Sequence, residues 1–147
     1  MLTGPMVAES RAQRGRPRRS STRRCALIAG ADAAIRQLLR TVLEIGGFDV
    51  IEAASQGDVL ARLASSGRTP DVVILDVLLP TFSGLATLSY LRREPRVAHV
   101  PVVVLTSFSD PPEHARFTQS GATIVVTKPF SSTRLLRMVN DIVGASR

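Results

Sequence analysis

Five short apolar runs, each followed by a segment of helical periodicity, fill residues 25–143, and no other feature of the chain restricts its fold as much. The runs are 25–29, 48–53, 72–75, 102–105 and 122–126. The third, Val72-Val73-Ile74-Leu75, is unbroken and mostly β-branched, the pattern of a strand buried on both faces. Between the runs, apolar residues recur at helical spacing: Ile35, Leu38, Leu39, Val42 and Leu43; then Val59, Leu60 and Leu63; then Leu85, Leu88 and Leu91; finally Leu135, Leu136, Val139, Ile142 and Val143. Gly46-Gly47 suits a helix end, and Ser55, Ser83 and Ser131 or Ser132 suit helix starts. Asp110-Pro111-Pro112-Glu113 combines a capping acid, proline in the first turn and Glu three residues after the cap, so it opens a helix that ends at Gly121. Strand–helix alternation of this kind predicts an α/β fold, a parallel sheet covered by helices on both faces with right-handed crossovers.

A chain of 147 residues accommodates one such domain with a proper core, and with 4% aromatic residues and no Trp the packing must be aliphatic. The lone Cys25 excludes an internal disulfide and fits a reducing, cytoplasmic setting. No apolar run approaches the roughly 20 residues that a membrane span needs, so no membrane partner is expected. The net charge of +7 is uneven: residues 1–24 hold seven Arg against Glu9, +6 of the total, which leaves the body near neutral. Residues 1–23 therefore read as a disordered Arg-rich tail, either simply solvated or an electrostatic arm for nucleic acid or another acidic partner, followed by one domain over residues 24–147. The tail is not read as a secretion signal, because cleavage near Ala31-Asp32-Ala33 would remove a strand the domain needs.

In an open parallel sheet the carboxyl ends of the strands share one edge, where ligands bind. Gly30-Ala31-Asp32 follows the first strand, Asp76 the third, Thr106-Ser107 the fourth and Thr127-Lys128-Pro129 the fifth. A carboxylate, a hydroxyl and an ammonium thus converge on one crevice. Lys128 is the only lysine in the chain; the other 18 basic residues are Arg. His99 and His114 belong to no metal or nucleophile motif and are expected in solvent.

Asp76 with Pro80 and Ser83-Gly84, then Thr106, then Lys128-Pro129-Phe130, resembles the receiver domain of two-component response regulators across residues 25 to about 144. The resemblance implies a flavodoxin-like, doubly wound sheet of five parallel strands in the order 2-1-3-4-5 with five helices. It implies that Asp76 is the phosphoacceptor, a nucleophile taking a phosphoryl group from a histidine kinase or phosphotransfer protein, with Lys128 and Thr106 contacting phosphoryl oxygens and a cis Lys128–Pro129 bond. It further implies a protein that acts by binding rather than turnover, with residues 110–143 as the surface for a downstream protein or a second copy.

Two departures qualify that expectation. The family ends its first strand in two acids that hold Mg²⁺ with the phosphoacceptor; here Gly30 and Ala31 stand at those positions, and Asp76 is the only side-chain ligand left. The family's aromatic three residues before the lysine is replaced by Val125. With fewer acids in the pocket, a standing Asp76–Lys128 ion pair is expected. Three functions follow: a stand-alone phosphorelay receiver, a phosphorylation-independent interaction module, and a nucleic-acid-binding adaptor that uses the Arg tail.

Overall fold

The computed structural model describes residues 23–77 and 82–146; apart from Arg23, the tail expected at residues 1–23 lies outside them, as does Pro80. Strands and helices alternate throughout: β1 (Arg24–Ala29), α1 (Ala33–Ile45), β2 (Phe48–Ala53), α2 (Gln56–Ser66), β3 (Val72–Val77), α3 (Phe82–Arg93), β4 (Val102–Thr106), α4 (Pro111–Gln119), β5 (Ile124–Thr127) and α5 (Ser132–Ser146). The strands form one parallel sheet in the order β2-β1-β3-β4-β5, the flavodoxin-like arrangement. No helix among the described residues is long and apolar enough to cross a membrane.

Side chains alternate across a strand, so each strand feeds two cores. Leu27, Val73, Leu75, Val77, Val102 and Val104 pack on one face with Val59 and Leu63 of α2, Leu88 and Leu91 of α3 and Phe117 of α4. Ala26, Ile28, Val72, Ile74, Val103 and Leu105 pack on the other with Leu39 and Leu43 of α1 and Leu135, Val139 and Val143 of α5. Cys25 is fully buried in β1, and burial pushes its thiol pKa up, so it is a packing residue.

The helix starts follow the local chemistry of the sequence. Ser55 accepts from the Asp58 amide and Asp110 from the Glu113 amide. Of the two candidate serines before α5, Ser131 is the cap, its Oγ accepting from the Arg134 amide at 3.2 Å. The Ser83 expectation is corrected: α3 begins one residue earlier, at Phe82. At the end of α1 it is Gly47, with φ +94°, that takes the left-handed conformation; Gly46 does not. Leu38 and Leu60, expected in the core, are 44% and 38% exposed. On their helices they lie at the rim of the stripe centred on Leu39 and Leu43, and on Val59 and Leu63.

At the β2 edge, Glu52 is gripped by two arginines of α1. Arg40 Nε stands 2.6 Å from Oε2 and Arg36 Nε 3.1 Å from Oε1. Arg40 also reaches Glu44 at 2.8 Å. These contacts, the Arg40 hydrogen bond first, hold the Glu52 carboxyl below its ordinary value. A carboxylate with a depressed folded-state pKa contributes stability above its unfolded pKa of about 4.3 and loses it as the pH falls through the folded value. In urea melts, Glu52→Gln should therefore lower the midpoint at pH 7, and the difference from wild type should shrink towards zero as the pH falls below about 4. On the opposite side of the molecule, Phe117 is fully buried on a short helix whose other buried residue is the acid Glu113. Phe117→Ala should cost about 3–5 kcal/mol by denaturant unfolding.

Candidate phosphoacceptor site

The sheet register assembles the crevice. The β1–β3 ladder ends at Ala29–Leu75, so the next residues, Gly30 and Asp76, are neighbours on one face. In β4, Asp76 pairs with Leu105 and Val77 with Thr106; in β5, Leu105 pairs with Val126 and Thr106 with Thr127. Lys128 lies two residues beyond Val126, and so returns to the face that carries Asp76.

The side chains meet as expected. Lys128 Nζ stands 2.5 Å from Asp76 Oδ1, with the Asp76 side chain fully buried and the Lys128 side chain 16% exposed. The contact is an ion pair rather than an aligned hydrogen bond, and Oδ2 has no partner among the described residues. Thr106 is fully buried; its Oγ1 accepts from the Phe108 amide at 3.2 Å, and its carbonyl accepts from the Lys128 amide at 2.7 Å. The Lys128–Pro129 bond is cis. A buried carboxylate, a cation in contact with one of its oxygens and a hydroxyl on the neighbouring strand form the kind of set that phosphoryl chemistry uses, positioning plus charge neutralisation.

The acid-poor side of the crevice is equally definite. Gly30 supplies no side chain, and Ala31 presents a methyl group to solvent. Asp32 caps α1, accepting from the Ala34 amide at 2.9 Å and the Ile35 amide at 3.4 Å. Among the described residues no three His, Cys, Asp or Glu side chains cluster as a metal site would require. The residues present do not fit Mg²⁺, which wants near-octahedral oxygen coordination. Val125 sits half-buried in the middle of β5 against the α2–α4 core.

Two residues outside the expected set act at the crevice. Arg36 Nη1 donates to the Gly30 carbonyl at 2.6 Å. His114, expected in solvent, is half-buried instead: its Nε2 lies 2.7 Å from the Phe108 carbonyl and 3.2 Å from Thr127 Oγ1. Its partners are a backbone oxygen and a residue 13 positions away, so no local motif announces it. His99 is exposed, as expected.

Comparison with known proteins agrees with this geometry. The family described as the response regulator receiver domain matches residues 26–140. The phosphate regulon transcriptional regulatory protein PhoB of Escherichia coli K12 is 32% identical over 80% of this chain and 50% of its own length. The polar-differentiation response regulator DivK of Brucella anthropi is 29% identical over 74% of this chain and 86% of its own. The chain thus spans about half the length of the PhoB relatives it matches and most of DivK. The solved chemotaxis response regulator CheY4 of Vibrio cholerae superposes with a TM-score of 0.72 at 26% identity, covering 82% of this chain and 99% of that one. With the motif, the sheet order and the crevice all in register, the chain belongs to the response regulator receiver domain family of two-component signalling.

Proposed function

We propose that this receiver unit, beginning at Arg24, carries its phosphoacceptor at Asp76 and passes its signal on by protein–protein contact through residues 110–143. The observation that supports this most is the asymmetry of the Asp76 carboxylate: Oδ1 is neutralised by Lys128, while Oδ2 has no partner among the described residues. A carboxylate oxygen whose lone pairs are unengaged can attack phosphorus. In the proposed step an Asp76 oxygen bonds to the phosphorus of a phosphohistidine on a kinase or phosphotransfer protein. The P–N bond breaks, its electron pair leaves with the imidazole nitrogen, and an acyl phosphate results. Lys128 then offsets the added charge, and Thr106 supplies a hydroxyl from the neighbouring strand.

A second mode, phosphorylation-independent binding, is favoured by a different observation. The Asp76–Lys128 pair already stands in the unmodified protein, beside a crevice without the acidic pair. The two modes separate by experiment. Incubation with a small phosphodonor such as phosphoramidate, read by intact mass, should add one phosphoryl group to the wild type and none to Asp76→Asn. No gain with either a small donor or a kinase would refute the phosphoacceptor role, and partner binding unchanged in Asp76→Asn would then establish the second mode.

The ion pair has its own consequence for stability. Lys128→Ala leaves a fully buried carboxylate without its cation and should cost about 3–5 kcal/mol in denaturant unfolding. In the double variant Asp76→Asn/Lys128→Ala the buried charge is gone, so the combined cost should fall well short of the sum of the single costs.

A further inference from the structure

We propose that the pocket around Asp76 works without a divalent cation, with Lys128 as its resident counter-charge and Arg36 as the positioning residue that holds the β1–α1 loop over it. The inference rests on Asp76 being the reactive position of the receiver, but not on whether that position becomes phosphorylated.

Space is the first constraint. A Cβ on Gly30 would stand 2.8 Å from Asp76 Cβ and 3.4 Å from Asp76 Oδ2. Asp76 Cβ is anchored directly to the β3 backbone and cannot swing aside as the tip of a long side chain could. With Asp76 in this position no carboxylate fits at residue 30. Gly30 is therefore a close-approach glycine rather than a bare vacancy at the end of β1.

Two oxygens near the loop, Asp32 Oδ1 and the Gly30 carbonyl, are engaged elsewhere. Asp32 serves the helix cap through Oδ1, its accepting geometry matched by a backbone at φ −84° and ψ 109°. The Gly30 carbonyl receives Arg36 Nη1 at 2.6 Å, and the same guanidinium is tethered through Nε to Glu52 at 3.1 Å. A carbonyl that already faces a guanidinium is a poor ligand, because metal and arginine would repel one another at that distance. A magnesium ion needs about six oxygens near 2.0–2.1 Å. At Asp76 itself, Oδ2 is the carboxylate oxygen without a partner among the described residues, and it lies beside an ammonium.

Charge leads to the same conclusion. A crevice with three acids carries an excess of negative charge that a dication relieves. Here Asp76 and Lys128 sum to zero. The loop that such a metal would organise is held instead by a chain of contacts from β1 through Arg36 to Glu52, with Arg40 on its other oxygen.

The test is a titration of the full chain with MgCl₂ to about 20 mM, followed by ¹H–¹⁵N NMR, a range that would saturate a site with millimolar affinity. The expected result is only small, non-saturating drift of the Gly30, Asp76 and Lys128 amides, with Mn²⁺ causing no selective broadening there. Saturable shifts with a low-millimolar midpoint at those amides, absent in Asp76→Asn, would overturn the proposal. For Arg36, amide hydrogen exchange is the readout. Arg36→Gln should accelerate exchange at residues 30–32 while β4 stays protected, and Arg36→Lys, which keeps a donor for the Gly30 carbonyl, should restore protection. Unchanged exchange at residues 30–32, or an equal rise in β4, would overturn the positioning role. These measurements use unmodified protein. Phosphodonor labelling that occurs only with Mg²⁺ would defeat this inference and leave Asp76 as phosphoacceptor; no labelling under any condition would defeat the phosphoacceptor assignment and leave the metal question to the titration.

Discussion

An ionised carboxylate sealed inside a sheet edge needs a cation or hydrogen-bond donors against it. Taking such a group out of water costs several kcal/mol, and only a close partner offsets that. For Asp76 the partner is Lys128, and the pairing depends on the register of three strands. Asp76 follows Val72 and Ile74 on the α1–α5 face, and Lys128 follows Ile124 and Val126 on the same face. The ladders bring Asp76 to Leu105 and Leu105 to Val126, so the lysine arrives at the right depth. A slip of one residue in β4 or β5 would turn Lys128 to the opposite face and leave Asp76 alone. The site therefore depends on the sheet, and the cost of an unpaired buried acid penalises the wrong sheet.

The same register links the crevice to the helix that follows β4. Thr106 is bound to its own loop through the Phe108 amide, the Phe108 carbonyl is held by His114 of α4, and His114 reaches Thr127 at the end of β5. Because the Phe108 carbonyl can only accept, Nε2 of His114 must carry the hydrogen. The circuit closes where the Lys128 amide donates to the Thr106 carbonyl. Residues from the β4 end, α4 and the β5 end are thus tied to each other by hydrogen bonds that lead back to Lys128. Val125, too small to extend from the core to the surface, takes no part in that connection.

What could be read from the residues alone was whatever depends on near neighbours in sequence. Strands, helix caps and the Asp76, Thr106 and Lys128 positions all announce themselves within a few residues, by apolar run, by capping chemistry or by motif. That Gly30 and Ala31 offer no side-chain oxygen was likewise plain from the residues themselves. Contacts across the fold were not. Arg36 looks like any helix-surface arginine until β2 brings Glu52 beside it and β1 turns the Gly30 carbonyl towards it. Arg92, near the end of α3, directs its guanidinium onto the Gly121, Ala98 and Val100 carbonyls, where burial lowers its pKa, and no local motif signals those contacts. Glu113 reads as a capping residue and turns out to be nearly buried, one oxygen without a partner among the described residues.

Why a lysine stands at 128, in a chain that otherwise uses arginine for every basic residue, follows from the geometry of the carboxylate. A guanidinium is a planar fork that pairs with both oxygens of an acid at once. At this position it would engage Oδ1 and Oδ2 together and leave no oxygen of Asp76 open. An ammonium is a compact point charge on a flexible stem, able to sit against Oδ1 alone. It neutralises the acid while leaving Oδ2 without a partner among the described residues. An arginine would satisfy the charge equally well, but a buried acid held by both oxygens is a structural ion pair. A buried acid held through one oxygen leaves the other without a hydrogen-bond partner among the described residues, which is the arrangement at Asp76.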